Sequence, residues 1–199
     1  MATGFTVWFT GLSGAGKTTL ARRLESYLIA QGCRVEVLDG DLTRTALGRS
    51  GFSRADRDWN VRCIGYIADL LSRNGVVVLV AAISPYRDAR ARAKRMHVSP
   101  LIEVFVDCPL DVLIERDVKG LYRQALTGEI QSFTGVSDPY EPPLTADLHL
   151  HTDVESLDVC MARLMAEVVS IGNVSESASV ERVVRGLSRT PGGLDVAHE

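Results

Sequence analysis

The chain has 199 residues, 46% of them hydrophobic and 24% charged, with a formal net charge of −3. That length suits one domain with a proper core, and the mild negative charge gives no support to broad nucleic-acid binding. The longest apolar run, Val76 to Ile83, is too short to cross a bilayer, and the first strand starts too close to Met1 to leave room for a signal peptide.

The predicted elements alternate between strand and helix, the mark of an α/β fold with a mainly parallel sheet and helices on both faces. Strand Phe5–Thr10 leads into a glycine-rich turn, and helix Lys17–Gln31 follows with Leu20, Leu24 and Leu28 at four-residue spacing. Gly32 stands where a helix C-cap glycine belongs. Strand Arg34–Leu38 ends in Asp39-Gly40-Asp41, and Leu42 to Ser53 reads as a short helical stretch and a turn-rich loop. Ser53 opens S-x-x-D, a capping-box-like start to a helix reaching about Asn74. Val76–Ala81 has the continuous apolar character of a strand buried on both faces. Ser84-Pro85 then opens the charged helix Tyr86–Arg95, whose Arg87, Arg90, Arg92, Lys94 and Arg95 are expected mostly in solvent.

Strand Leu101–Val106 ends at Asp107, and Pro109 starts a helix to Arg116. Asp117 to Pro143 is polar and dotted with glycine and proline, a length that suits a lid. Asp147–His151 is a last short strand. It puts His149 and His151 on one face, with no third ligand evident nearby, so no metal site is expected there. A closing helix spans Val154–Ile171, with Leu157, Met161, Leu164 and Val168 on one face. Residues 1–172 thus form the predicted domain, with the lid at about 117–143. Residues 173–199 form a polar tail, in which Val180–Leu187 has one or two turns of helical pattern. Cys33, Cys63, Cys108 and Cys160 are scattered without C-x-x-C, as expected of reduced thiols in a cytoplasmic protein.

The turn after the first strand reads G-x-x-x-x-G-K-T from Gly11 to Thr18, a P-loop with the strand before and the helix after that such a loop requires. Gly11, Gly14 and Gly16 let the backbone approach an anion closely. The amides of the turn, through Ser13, Ala15 and Thr19, and the helix N-terminus face the phosphates of ATP. Lys17 places a positive charge where negative charge builds, and the Thr18 hydroxyl completes a Mg²⁺ shell. In such folds the strand carboxyl ends form the crevice, so the residues after each strand matter most. Asp39 and Asp41 follow the second strand; a carboxylate there holds Mg²⁺ or takes a proton from an attacking hydroxyl, and an Asx-turn with a helix cap is the competing role. Ile83 and Ser84 follow the third strand. Arg57 and Asn60 share one helical face and suit an anion and a nucleotide edge together.

These residues resemble the adenylyl-sulfate kinase family. The likeness runs through Gly11–Thr19, Asp39-Gly40-Asp41, Gly51-Phe52-Ser53, Asp56-Arg57 with Asn60, and Ile83–Arg87. It continues in Lys119-Gly120-Leu121-Tyr122, and in Phe133-Thr134-Gly135 with Asp138–Glu141. The resemblance implies a P-loop nucleotide kinase fold with a lid, and transfer of phosphate from ATP, with Mg²⁺, to the 3′-hydroxyl of adenosine 5′-phosphosulfate. It implies Lys17, Asp41 and Ser84 as catalytic residues, the last as a phosphorylated intermediate, and Thr18 with Asp41 at the metal. Phe52 and Phe133 would sandwich the acceptor adenine. Asp39, Arg44, Arg57, Asn60, Ile83, Lys119 and Leu121 would hold the rest of the acceptor. The sequence departs from the family pattern at Leu42, Trp59 and Ala81-Ala82, all on the acceptor side. A kinase of the same build with another acceptor, and a nucleotide-dependent switch, are the alternative readings; the guanine-reading N-K-x-D is absent. No membrane or nucleic-acid partner is expected, and a homodimer is compatible with the sequence.

Overall fold

The computed structural model describes residues 4–48 and 51–172. Five parallel strands form one sheet in the order β2-β3-β1-β4-β5. The strands are β1 Thr6–Thr10, β2 Val35–Asp39, β3 Val77–Ala81, β4 Leu101–Asp107 and β5 Leu148–His151. The helices between them are α1 Lys17–Ala30, α2 Gly40–Ala46, α3 Arg54–Arg73, α4 Arg87–Met96, α5 Leu110–Arg116, α6 Leu121–Leu126 and α7 Leu157–Gly172. From β1 the chain crosses to the edge strand β2, returns to β3 between them, then crosses β1 to β4 and β5. The strand order therefore reverses at β1, and its carboxyl end opens onto the binding crevice.

Alternation along each strand divides the interior into two layers. Val7 and Phe9 of β1, with Val77 and Leu79 of β3, face Leu20, Leu24 and Leu28 of α1 and Met161, Leu164 and Val168 of α7. Trp8, Val78 and Val80 point the other way, onto Val61, Ile64 and Ala68 of α3 and Ala89 and Ala93 of α4. Both faces of the central strands are buried, which is why β3 reads as an unbroken apolar run. Leu157, expected on the packed face of α7, is 37% exposed at the first turn of that helix.

Local signals set the helix ends. Gly32 has φ 79°, and the Gly32 and Cys33 amides donate to the Ile29 and Leu28 carbonyls at 2.8 and 3.0 Å, a Schellman ending to α1. The Ser53 hydroxyl accepts from the Asp56 amide at 3.2 Å and caps α3. The lid holds an element that the polar composition hid, the two-turn helix α6. Its cap comes from outside it: the Asp117 carboxylate accepts from the Tyr122 and Arg123 amides at 3.0 and 3.1 Å. Arg90 departs from the solvent-facing pattern expected of α4. It is buried, pairs with Glu103 at 2.8 Å, and donates to the Ser84 and Glu141 carbonyls at 2.6 and 2.7 Å. The four cysteines form no disulfide, and three of them are buried. No helix among the described residues is long and apolar enough to cross a membrane. The 173–199 tail lies outside the described residues.

Candidate active site

The P-loop joins β1 to α1 at the switch in strand order. Gly11, Gly14 and Gly16 take φ of 145°, 77° and 102°, where side chains are strained. A Cβ on Gly11 would also stand 2.2 Å from the Val106 carbonyl oxygen, so the loop can pass β4 only as glycine. Two distant hydroxyls fasten it. Thr152, just after β5, donates to the Ala15 carbonyl at 2.9 Å, and Tyr122 of α6 donates to the Ser13 carbonyl at 2.8 Å. The Arg116 guanidinium in turn reaches the Thr152 carbonyl at 3.3 Å. Tyr122 belongs to a stretch the sequence singled out, but none of these three contacts was identifiable from it, because each spans more than thirty residues.

A cleft of about 220 Å³ opens over this loop. Ser13, Gly14, Gly16, Lys17, Thr18 and Thr19 line one end; Ile83, Ser84, Asn60 and Arg57 line the other. Lys17, Arg44, Arg57 and Lys119 bring four cations to it against the carboxylates of Asp39 and Asp41. Such a surplus of positive charge suits polyanions. Lys17 Nζ donates to the Gly11 and Leu12 carbonyls at 2.9 and 2.6 Å. Burial, with Lys119 nearby, lowers its pKa to about 7 against the opposing pull of Asp41 and Asp39. Burial likewise pushes the Arg44 pKa down, and its guanidinium lies 4.5 Å from the centre of the Phe52 ring.

The carboxylate on Thr18 is that of Asp39. Thr18 Oγ1 donates to Asp39 Oδ2 at 3.4 Å, while Asp39 Oδ1 accepts from the Asp41 and Leu42 amides at 2.9 and 3.3 Å. One residue thus caps α2 with one oxygen and meets the P-loop threonine with the other. A hydroxyl beside a carboxylate oxygen is a hard donor set and fits Mg²⁺. Asp41, the expected metal carboxylate, lines the same cleft from the first turn of α2.

Asn60 is buried, and its Nδ2 donates to the Gly40 carbonyl at 3.4 Å. Its Oδ1 is buried without a hydrogen-bond partner among the described residues, and Asn60 lines the cleft. A buried acceptor of this kind asks for a ligand donor. Ser84 is buried with φ 47°, a left-handed conformation unusual for serine, and its Oγ accepts from Trp8 Nε1 at 3.0 Å. Indole only donates, so this bond takes no proton from Ser84 and does not activate it as a nucleophile.

Arg57 is committed to the lid as well as to the cleft. Its Nε donates to the Phe52 carbonyl at 2.9 Å, one terminal nitrogen to Thr134 Oγ1 at 2.6 Å, and the other to the Ser132 carbonyl. Asp138 lies 3.6 Å from it and also accepts from the Tyr86 hydroxyl at 2.9 Å. Tyr140 against Thr10 and the Glu141 amide on the Pro85 carbonyl complete the seam, at 3.0 and 2.8 Å. The lid from 132 to 142 is therefore stitched to α3 and to the loop after β3. Arg57→Ala should cost about 3 kcal/mol or more, since it leaves buried partners unpaired. The urea midpoint and the rate of proteolysis within 117–143 both report on it. A fully stable Arg57→Ala protein would show that the seam holds without the guanidinium.

Phe52, Phe133 and Leu121 stay outside the lining of this cleft. Phe52 is half exposed beside Arg44, and Phe133 meets Tyr122 edge-on at 5.2 Å and 80°. Leu121 lines a smaller recess with Ser13, Gly14 and Lys119.

A P-loop at the switch point of a parallel sheet, opening onto a cleft with four cationic side chains, is the build of a P-loop kinase. Comparison with known proteins narrows the class. Residues 3–151 match the family Adenylylsulphate kinase, and the chain belongs to that family. It is 60% identical to the adenylyl-sulfate kinase of Chloroflexus aurantiacus, over 82% of this chain and 88% of that one. A structure of the Mycobacterium tuberculosis APS kinase in complex with AMPPNP and APS superposes with a TM-score of 0.81 at 42% identity, covering 84% of this chain and 99% of that one. A hexameric APS kinase from Thiobacillus denitrificans aligns at 34% identity and a TM-score of 0.63, over 84% of this chain and 29% of that one.

Proposed function

We propose that the chain transfers the γ-phosphoryl group of ATP to the 3′-hydroxyl of adenosine 5′-phosphosulfate, giving 3′-phosphoadenosine 5′-phosphosulfate and ADP. The observation that carries this reading is the single cleft with the P-loop at one end and Asn60, Arg57 and Ser84 at the other. Lys17 and the loop amides hold the phosphates of ATP. Thr18 and Asp39 would hold Mg²⁺, which neutralises charge on those phosphates when bound. The hydroxyl oxygen forms a bond to the γ-phosphorus as the bond to the bridging oxygen breaks, and ADP leaves with that electron pair. The hydroxyl proton goes to Asp41, the cleft carboxylate not engaged at Thr18. Asn60 Oδ1 takes a hydrogen bond from the acceptor, and Lys119 answers its charge from the lid. Phe52 and Phe133 stack on the acceptor base once the lid closes over it. Transfer is taken as direct, since the bond that Ser84 Oγ accepts from Trp8 does not itself activate the hydroxyl as a nucleophile.

The test is phosphotransfer with ATP, Mg²⁺ and a panel of acceptors, read by mass spectrometry. Adenosine 5′-phosphosulfate should be converted with one ADP formed per product. If it is inert while another acceptor is phosphorylated, Leu42, Trp59 and Ala81-Ala82 have re-made the pocket. Every motif that carries the family resemblance precedes residue 173. Deleting 173–199 is therefore expected to leave turnover within about a few-fold. Loss of activity from a folded, shortened protein would give the tail a share in the site. Self-association is part of the proposal too, supported by the hexameric relative, and sedimentation should show more than one copy per particle.

A further inference from the structure

At the carboxyl ends of β4 and β5, outside the kinase cleft, the structure assembles a cluster that the sequence did not foretell. His149 and His151 share a face of β5, as expected, but a third candidate ligand stands beside them. Parallel pairing sets Phe105 opposite His149 and Asp107 opposite His151. Asp107 comes from 42 residues earlier in the chain, which is why neither spacing nor motif revealed it.

We propose that Asp107, His149 and His151 form a binding site for a divalent transition metal of the Zn²⁺ class. The side-chain geometry follows from the register. His149, diagonal to Asp107, reaches it with its far nitrogen, and Nε2 lies 2.9 Å from Oδ2. His151, directly opposite, presents its near nitrogen, and Nδ1 lies 3.8 Å from the same oxygen. All three ligand atoms fall within 4.8 Å of one another. Bonds of about 2.0–2.1 Å to a four-coordinate ion place neighbouring ligand atoms roughly 3.3 Å apart, so small side-chain rotations close the set. The rings are also held in orientation. His149 stacks on Phe105 at 4.6 Å and 26°, and the two imidazoles lie 4.1 Å apart. The His149 carbonyl accepts from Arg163 at 2.8 Å, and the His151 amide donates to Glu155 at 2.9 Å, which fixes the strand behind both rings.

Two imidazoles and one carboxylate favour Zn²⁺, Ni²⁺ or Cu²⁺ over the all-oxygen preference of Mg²⁺. The site is therefore chemically distinct from the Thr18–Asp39 pair. Both histidines are nearly half exposed, which leaves room for water at the remaining positions. The site also touches the kinase framework through the backbone. The Asp107 carbonyl accepts from the Thr152 amide at 2.9 Å and shares the Thr152 hydroxyl proton, at 3.1 Å, with the Ala15 carbonyl of the P-loop. An ion joining β4 to β5 there would stiffen the strand ends on which the loop rests.

The test titrates the full chain with Zn²⁺, without nucleotide and in a non-chelating buffer. Bound metal is measured by equilibrium dialysis, and the imidazole resonances are followed by NMR. One Zn²⁺ per chain is expected, with the His149 and His151 signals shifted and those of His97 and His198 unmoved as internal controls. His149→Gln and His151→Gln should each weaken binding by at least about tenfold, the lower end of what loss of even an outer-shell partner costs. Their phosphotransfer rates with Mg²⁺ alone should match the wild type. His151→Gln, which forfeits no ring hydrogen bond within 3.5 Å, carries the test if His149→Gln fails to fold. Unmoved His149 and His151 resonances, or variants that bind Zn²⁺ as tightly as the wild type, would overturn the proposal. The first result would leave a plain His149–Asp107 hydrogen bond; the second would put the ion elsewhere on the chain.

Discussion

Lys17→Ala is expected to reduce single-turnover phosphoryl transfer by about a thousandfold or more. Removing one fixed donor from a developing negative charge already costs about 10²–10³ in rate, or about 2.7–4 kcal/mol. Lys17 in its protonated form contributes a formal positive charge, from a buried position near the two cleft carboxylates. Its hydrogen bonds to the Gly11 and Leu12 carbonyls keep the ammonium inside the loop. Arginine should not rescue the loss, because a planar fork cannot replace a compact ammonium there. Near-normal transfer by Lys17→Ala would remove the loop's lysine from the mechanism. The same burial has a consequence for stability. With its pKa near 7 in the folded chain and 10.5 as the ordinary value, Lys17 binds fewer protons folded than unfolded between those limits. Stability from this group should therefore rise as pH climbs through that window, and Lys17→Ala should flatten the rise. Urea midpoints at about pH 7 and pH 9 for both proteins measure the difference.

How much of this was legible depended on distance along the chain. The strand, P-loop and helix of residues 5–31 declare themselves because every signal is local: an apolar run, three glycines, a lysine, then leucines one turn apart. Gly32 and Ser53 mark helix ends for the same reason. Helix α6 stayed hidden because it is short and its cap is Asp117, outside the helix, rather than a residue at its own N-cap. Arg90 looked like one member of a basic run, and only the placement of Glu103 on β4 makes it a buried partner.

The site divides along the same line. That Arg57 shares a helical face with Asn60 followed from spacing, and its place at the acceptor from resemblance; that its guanidinium grips Ser132 and Thr134 did not, since those residues lie 75 and 77 positions away. Phe52 and Phe133 were paired through resemblance alone. In the structure each has another neighbour, Arg44 for the first and Tyr122 for the second. The Asp107, His149 and His151 cluster shows the limit most plainly. A strand displays its own alternation, but which strand lies beside it is a property of the sheet.

Asp39 and Asp41 give the second large effect, and the two should fail differently. Asp39 has one oxygen on the α2 cap and the other toward Thr18. Asparagine can keep the cap with its remaining oxygen while turning an amide toward Thr18. Asp39→Asn should therefore fold normally but need far more Mg²⁺ for the same rate, because a neutral group replaces an anionic ligand. Asp41 lines the same cleft, and in the proposed mechanism its carboxylate takes the acceptor's proton. General-base catalysis contributes about 10²–10⁴ in rate, and Asp41→Asn should lose that factor in kcat while the acceptor KM changes little. The measurement is a grid of initial rates over Mg²⁺ and acceptor for both variants. If Asp41→Asn alters only KM, it is a binding residue and the proton leaves by another route. If Asp41→Asn shifts the Mg²⁺ requirement and Asp39→Asn does not, the metal belongs to Asp41 and the 3.4 Å contact of Thr18 with Asp39 is only part of the helix cap.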